Sequence, residues 1–295
     1  MINIPIVIIF IFVILFILLI SVITLNTQTL TKRIKDLSYK GSKNNKKNKN
    51  ITIVTMETRS FGALHYHNKN LEEYCLKHGY RYIFLDHYEN KLKLPIYWKK
   101  IQLVQEILLT LPSDEYVMWM DSDTMICHNE ISLNVLIEDN EKSIFIGNDF
   151  PHITNTYNAG VFIIKNNETG KRFIDDCINM YLSKQECRYE NGEFTLGKEW
   201  AGSCYEQGIM NKLLKSEYKN DVQLIANHFL LNTNIPITST FILHLFDGNQ
   251  STPSVRNTFL TEQFKRIYNK YEILPSRIDQ LFYRIHSLYL YIKKK

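Results

Sequence analysis

The chain has 295 residues, 45% of them apolar and 22% charged, which is enough to bury one large core or two small ones. Its formal net charge of +5 is concentrated in residues 26–50, where eight Lys and Arg side chains accompany one acid, so residues 51–295 sum to about −2. A nucleic-acid-binding domain usually carries its basic surface on the folded part, so we exclude nucleic acid as a partner.

The first predicted element is an apolar helix over residues 4–25, and residues 1–25 contain no charged side chain. Its 22 residues form a helix about 33 Å long, and the hydrocarbon core of a bilayer is about 30 Å thick. A cleaved signal peptide, the alternative, has an apolar region of only about 7–15 residues that ends at a small-residue cleavage site. Because this segment is longer and lacks such a site, we predict that residues 1–25 are a transmembrane anchor that contacts the lipid bilayer through residues 4–25.

Residues 26–50 follow the anchor and are basic and polar, with almost no apolar content from residue 38 onward. Such a segment buries too little surface to fold. We therefore predict a flexible stem that leads into one folded domain, residues 51–295.

Strand and helix patterns alternate from residue 51 to residue 125 and continue less regularly beyond it. The predicted strands are 51–56, 80–85, 116–120, 144–146, 161–164, 222–225 and 241–243, and the predicted helices are 65–78, 97–110, 170–184 and 205–215. This alternation predicts an α/β fold with βαβ units and a doubly wound, mostly parallel central sheet. Ligands of such sheets bind at the carboxyl ends of the strands.

The chain has five cysteines, an odd number, and no two of them are spaced as a Cys-x-x-Cys pair. This pattern supports neither a zinc ribbon nor a dense disulfide framework. Buried free thiols are the simplest interpretation, and a bridge between Cys187 and Cys204 across a loop is the alternative.

The motif Asp121-Ser122-Asp123 directly follows the apolar strand predicted over 116–120. Two carboxylates separated by one residue at a fixed strand end can bind one ion, and oxygen ligands suit Mg²⁺ or Mn²⁺, which complete their coordination with substrate phosphates. Lys100, on the preceding predicted helix, is placed to reach a phosphate.

A haloacid-dehalogenase-type phosphatase also uses a strand followed by Asp-x-Asp, so Asp121 and Asp123 admit this alternative. That family expects Thr or Val where this chain has Met125. Its downstream acidic pair follows a strand, whereas Asp175 and Asp176 lie in a predicted helix. The phosphatase is therefore the weaker interpretation.

Four motifs in order resemble the glycosyltransferases of the GT-A fold, and most closely the galactosyl, xylosyl and mannosyl transferases of glycosyltransferase family 34. They are the run 97–126, Asn158-Ala159-Gly160, Tyr205-Glu206-Gln207-Gly208 and the late His244. The resemblance covers roughly residues 51–260. One departure is Gly248, which follows His244 by four residues where the family typically has three.

The resemblance implies a metal-dependent transferase with Mn²⁺ or Mg²⁺, a UDP- or GDP-sugar as donor, and a glycan or glycoprotein as acceptor. It also implies transfer of a hexose or pentose with retention of anomeric configuration. Such a protein is expected in a Golgi, ER, host or viral membrane. The positive-inside rule places the basic stem in the cytosol, whereas a lumenal enzyme needs the opposite arrangement, so the side of the membrane stays open.

Individual roles also follow from the resemblance. Asp121, Asp123 and His244 are implied metal ligands, the histidine binding through one nitrogen of a neutral ring. Gln207 and Glu206 are implied to lie beside the anomeric carbon and to stabilise its positive charge. The remaining implied contacts are with substrate: Thr55, Thr58 and Arg59 with the nucleoside, Asp121 with the ribose, Asn158 and Gly160 with the donor sugar or acceptor, and Asp149 with the acceptor hydroxyl.

Each assignment has a structural alternative. In that alternative the two aspartates form a solvated turn, His244 and Thr55 are core residues, Lys100 is solvated, Asn158 only starts a strand, and Glu206 is an acid favoured by the helix dipole. A catalytically inactive, glycan-binding membrane protein with the same fold is the alternative for the chain as a whole.

Overall fold

The computed structural model describes residues 49–269 with gaps at 60–61, 88–91, 150–155, 191–192, 198, 200, 228–229, 235–239 and 246–252. The predicted anchor, residues 1–25, and residues 26–48 of the predicted stem lie outside the described residues. Within the described part, none of the helices combines the length and the apolar content needed to cross a bilayer.

The described part contains ten strands and five α-helices. The strands are β1 (Ile51–Met56), β2 (Arg81–Leu85), β3 (Tyr116–Met120), β4 (Thr124–Ile126), β5 (Ile144–Asn148), β6 (Tyr157–Lys165), β7 (Arg188–Glu190), β8 (Glu193–Leu196), β9 (Val222–Ile225) and β10 (Ile242–His244). The helices are α1 (Gly62–His78), α2 (Lys99–Thr110), α3 (Glu168–Leu182), α4 (Glu206–Lys215) and α5 (Pro253–Tyr268), with short 3-10 turns at Ile96–Trp98 and Leu133–Leu136.

Every predicted strand and helix is present, with ends that differ by a few residues. β6 begins at Tyr157 and not at residue 161, because the strand continues past a bulge until Tyr157 pairs with Asn148. β4, β7, β8 and α5 were not predicted.

Six strands form the central sheet in the order β2-β1-β3-β6-β5-β9. β1 is parallel to β2 and β3, and β5 is parallel to β9, while β6 is antiparallel to both of its neighbours. Only eight residues, 149–156, separate β5 from β6, and a parallel pair needs a crossover of about a dozen or more. The predicted mostly parallel sheet is therefore confirmed, with β6 as its one reversed strand.

Helices cover the sheet in two groups. α2, α3 and α4 pack on one face, where Trp98, Val117, Phe162 and Phe173 belong to the same buried cluster. α1 and α5 pack together over a second cluster that includes Met125 of β4 and side chains of α1, α5 and the β10 region. The carboxyl ends of β1 and β3 lead into the loops that carry the predicted site.

β4 and β10 form a separate antiparallel pair in which Thr124 aligns with His244 and Ile126 with Ile242. The pair is extended at its ends, since Cys127 N–H donates to the carbonyl of Phe241 and Leu245 N–H donates to that of Asp123. This pairing joins segments almost 120 residues apart and places His244 beside the Asp121-Ser122-Asp123 loop.

A disulfide joins Cys187, just before the β7–β8 hairpin, to Cys204, two residues before α4. Their Cα atoms are 5.5 Å apart, within the usual range for a disulfide. The expectation that all cysteines are free is therefore wrong for these two, and the bridged alternative is correct. The chain between α3 and α4 folds back on itself, and this brings Cys187 and Cys204 together. Cys75, Cys127 and Cys177 are free thiols.

Candidate active site

The Asp121-Ser122-Asp123 segment forms a tight turn between β3 and β4. Thr124 closes it by donating its N–H and its hydroxyl to the Asp121 carbonyl, at 3.0 and 2.7 Å. Asp121 N–H donates in turn to the carbonyl of Gly160 on β6. Asp123 is 9% exposed, so this is not the solvated turn of the structural alternative.

Asp121, Asp123 and His244 form the candidate metal centre. One ligand atom from each can be chosen so that all three lie within 4.8 Å of one another, and His244 Nε2 is 3.3 Å from Asp123 Oδ1. An octahedral Mg²⁺ with bonds of about 2.1 Å holds neighbouring ligand atoms about 3 Å apart and opposite ones about 4.2 Å apart. The 3.3 Å between His244 Nε2 and Asp123 Oδ1 matches the spacing of neighbouring ligands, and the two carboxylates supply the oxygen ligands that a small divalent cation prefers. Gly248 and Asp247 lie outside the described residues.

Gly160 provides the space for the His244 imidazole. A Cβ atom at this position would lie 2.0 Å from His244 Cε1 and 2.7 Å from Nε2. Real non-bonded carbon atoms approach to about 3.5 Å, so no larger residue fits without moving the ring. The sequence predicted that Gly160 contacts the donor sugar or acceptor, and the structure shows close approach of His244, the candidate metal ligand.

Lys100 lies between two carboxylates. Its Nζ is 3.0 and 3.2 Å from the two oxygens of Asp121 and 3.1 Å from Glu206 Oε1, and it also donates to the Ala159 carbonyl. Burial by itself lowers the pKa of Lys100, but the charges of Asp121 and Glu206 outweigh it, so the net pKa is raised and the side chain stays charged. The solvated alternative is wrong, because the side chain is only 12% exposed.

Glu206 is the first residue of α4 and is buried against Lys100. Burial raises its pKa above the usual value, and the Lys100 charge offsets part of this increase. Trp119 Nε1 donates to Asp121 Oδ1 at 2.6 Å. Lys100 is thus held between an acid of the turn after β3 and an acid of α4.

Gln207 is hydrogen-bonded to β6, the strand that carries Asn158 and Gly160. Its Oε1 accepts the Ala159 N–H at 3.0 Å. Asn158 Oδ1 accepts from Gly160 N–H, and Asn158 Nδ2 donates to Asp149 Oδ1 at 2.9 Å. Asn158 therefore links β6 to Asp149, directly after β5, and does not only start a strand.

Asn211 fastens α4 to the start of β6 and was not predicted. Its Oδ1 accepts the Tyr157 N–H at 2.7 Å, and its Nδ2 donates to the carbonyls of Tyr157 and Gln207. It lies one helical turn after Gln207, on the same face of α4. That spacing is the only sequence signal that could have identified it.

The loop after β1 contacts the Asp121-Ser122-Asp123 turn through Glu57, which was also not predicted. Glu57 accepts a hydrogen bond from Ser122 Oγ at 2.7 Å and forms a two-pronged ion pair with Arg59. Burial raises the pKa of Glu57, but the bonds from Arg59 and Ser122 outweigh it and lower the net value. Thr58 is exposed, whereas Thr55 is fully buried, where the core alternative places it.

The acidic pair that a phosphatase would need, Asp175 and Asp176, is hydrogen-bonded to other side chains. Asp175 accepts from Gln105 and Asp176 from Tyr218, and both acids lie within α3. Neither follows a strand, and Met125 is buried in the second cluster. The structure therefore gives the phosphatase interpretation no support.

Comparison with known proteins agrees with this arrangement. Residues 44–149 match the model of the galactosyl transferase GMA12/MNN10 family. That segment contains Lys100, Asp121, Asp123 and Asp149, whereas Gln207 and His244 lie beyond it.

Several curated relatives carry galactosyltransferase names. The chain is 24% identical over 180 residues to an uncharacterized alpha-1,2-galactosyltransferase of Schizosaccharomyces pombe, an alignment that covers 49% of this chain and 46% of the relative. It is 30% identical over 119 residues to galactomannan galactosyltransferase 1 of Cyamopsis tetragonoloba, which covers 38% of this chain and 26% of the relative. The chain thus spans less than half the length of these relatives.

Among solved structures, the fold is similar to that of a glycosyltransferase involved in the glycosylation of the major capsid of PBCV-1. The TM-score is 0.54 at 14% identity, and the match covers 73% of this chain and 98% of that one. At this identity the similarity shows the fold alone. Together with the family match, it confirms the predicted GT-A type of fold and the resemblance to glycosyltransferase family 34.

Proposed function

We propose that the chain is a metal-dependent glycosyltransferase that moves a hexose or pentose from a UDP- or GDP-sugar to a glycan or glycoprotein acceptor with retention of configuration. One observation carries the proposal. The family-matched segment supplies Asp121 and Asp123, and the fold brings His244 from β10, outside that segment, to within 3.3 Å of Asp123.

Asp121, Asp123 and His244 would hold Mn²⁺ or Mg²⁺ in this proposal. When bound, the ion would supply electrostatic stabilisation to the diphosphate that leaves the donor. Lys100 contacts both oxygens of the Asp121 carboxylate, so this ligand is held in position before the ion arrives. The exposed Thr58 and Arg59 at the end of β1 are proposed to contact the nucleoside, with Glu57 orienting Arg59.

Gln207 and Glu206 are proposed to stabilise the positive charge that develops at the anomeric carbon. Gln207 Oε1 already accepts one hydrogen bond from Ala159, which fixes the amide, and a carboxamide oxygen has a second lone pair for the donor sugar. Glu206 shares Lys100 with Asp121, so the acid nearest the sugar and the metal ligand are electrostatically coupled. Asp149 and Asn158 are proposed to orient the acceptor hydroxyl.

The test is metal-dependent hydrolysis of a panel of UDP- and GDP-sugars by the full chain, with and without EDTA. Activity that disappears with EDTA, returns with Mn²⁺ and is lost in Asp123→Asn supports the proposal. Turnover that does not need metal contradicts it. Nucleotide binding with Mn²⁺ but no turnover with any donor indicates the inactive, glycan-binding alternative, and hydrolysis of simple phosphate esters indicates the phosphatase.

We further propose that residues 4–25 anchor the protein and that the folded domain works on the oxidising, non-cytosolic side of its membrane. Disulfides persist in secretory compartments and are rare in the cytosol, and Cys187–Cys204 lies two residues from Glu206. This support competes with the basic stem, which favours the cytosolic side. Protease protection of the domain in intact microsomes tests the orientation, and cleavage without detergent would contradict it.

A further inference from the structure

Asn232 contacts the candidate metal centre although nothing in its sequence context points to it. It is fully buried and has a φ of +66°, in a short segment whose next residue, Thr233, bridges to Leu243 of β10. Its Oδ1 is 3.2 Å from His244 Nδ1. Its Nδ2 has no hydrogen-bond partner among the described residues, so His244 is the polar contact that this side chain makes there.

The direction of this hydrogen bond determines where His244 carries its proton. An amide oxygen only accepts, so the proton sits on Nδ1, and the lone pair of a neutral ring is then on Nε2. Nε2 is the atom that faces Asp123 Oδ1 at 3.3 Å. When the ring is neutral, Nε2 is therefore the unprotonated nitrogen, and it faces the place where a cation would join Asp121 and Asp123.

Two glycines create the space in which this pair sits. A Cβ on Gly147 of β5 would lie 2.9 Å from Asn232 Nδ2, and a Cβ on Gly160 of β6 would lie 2.0 Å from the His244 ring. The backbone adds a third restraint, since His244 N–H donates to the Thr233 carbonyl at 2.7 Å. Asparagine is among the few residues that adopt a positive φ readily, so the same residue type satisfies both the backbone and the hydrogen bond.

We propose that Asn232 is a positioning residue that fixes the tautomer and the orientation of His244 for binding a divalent cation. The inference rests on the proposed function, because it needs the Asp121, Asp123 and His244 centre to bind metal. Removal of the side chain that hydrogen-bonds a metal-bound histidine commonly weakens metal affinity about 10- to 100-fold.

The experiment measures Mn²⁺ affinity of the full chain by isothermal titration calorimetry. Asn232→Gly removes the side chain but accepts the positive φ, whereas Asn232→Asp keeps an obligate acceptor at the same point. We expect Asn232→Gly to raise the Mn²⁺ dissociation constant about 10- to 100-fold and Asn232→Asp to keep it within about threefold of the wild type or lower it. Asn166→Ala is the matched control, because Asn166 is a buried asparagine that bonds only to the loop after α2 and should leave the affinity unchanged.

A second readout separates positioning from general structure. Nitrogen-15 spectra of the metal-free protein with labelled histidine, assigned with His244→Ala, should show protonated Nδ1 in the wild type and Asn232→Asp, and a tautomer mixture in Asn232→Gly. Wild-type Mn²⁺ affinity in Asn232→Gly, a loss in Asn232→Asp equal to that in Asn232→Gly, or a neutral wild-type ring that carries its proton on Nε2 would each overturn the inference. If the wild type and Asp123→Asn bind Mn²⁺ equally, the proposed function fails instead.

Discussion

Replacing Gly160 with alanine tests whether the space beneath His244 is needed for activity. The new Cβ would lie 2.0 Å from Cε1, so the imidazole must retreat by about 1.5 Å to reach an ordinary carbon–carbon contact. A displacement of about 1 Å in a catalytic group can cost about 100-fold in rate, or about 2.7 kcal/mol in activation free energy. We expect Gly160→Ala to lower kcat/KM at least 100-fold and to weaken Mn²⁺ binding.

The assay is the initial rate of donor hydrolysis as a function of Mn²⁺ concentration, together with the Tm of each variant. Gly170→Ala is the matched control, because a Cβ there would lie 2.1 Å from the Lys165 carbonyl oxygen, in the first turn of α3 and not in the metal centre. Overpacking typically costs about 1–3 kcal/mol, so both variants should melt earlier. Only Gly160→Ala should lose activity per folded molecule. An active Gly160→Ala with wild-type Mn²⁺ dependence would refute the assignment of His244.

Three other perturbations probe the remaining parts of the site. Gln207→Leu should lower kcat and leave nucleotide affinity, measured by calorimetry, nearly unchanged, and a loss confined to nucleotide affinity would contradict its placement beside the sugar. Glu57→Gln should lower the free energy of unfolding at pH 7. Because the pKa of Glu57 is lowered in the fold, the difference from wild type should shrink as pH falls below about 4.5. Urea unfolding between pH 7 and pH 3 measures this difference, and a difference that grows toward acid would be inconsistent with the Arg59 pair. Joint replacement of Cys187 and Cys204 by serine should lower the free energy of unfolding by about 3 kcal/mol and reduce turnover by loosening α4. A reductant should lower the stability and turnover of the wild type in the same way and leave the double variant unaffected.

The local parts of the site could be predicted from sequence. β3 is a fully apolar run that ends directly at Asp121, so the strand, its end and the carboxylates are neighbours in sequence and identify one another. The N-terminus of α4, with Glu206 and Gln207, is likewise visible from helical spacing. In both cases the residues that fix the structure lie within about ten positions of those that they place.

The non-local parts could not be predicted in the same way. β4 and β10 have three residues each, too few for a periodic pattern, and they form because each supplies the other's hydrogen bonds. Asn232 has no motif around it, and its role depends on space left by Gly147 and on a ring that reaches it from β10. The Cys187–Cys204 bridge depends on a hairpin whose strands are also only three and four residues long.

Asp121 and His244 are held by different parts of the fold. Asp121 is held against the central sheet by the Gly160 carbonyl and is paired with Lys100, whereas His244 is held by the short β4–β10 pair and by Asn232. An ion bound to Asp121, Asp123 and His244 would therefore connect the central sheet to β10, which is held by few hydrogen bonds among the described residues. An ion that binds only when all three ligands are in place stabilises that arrangement by mass action. Saturating Mn²⁺ should then slow amide hydrogen exchange more at Leu243 and His244 than at Val117 and Met118, because β3 is already held by β1 and β6 on both sides. Equal protection of the two strands would mean that β10 is as firmly placed without metal as β3, and that the ion binds a centre already assembled.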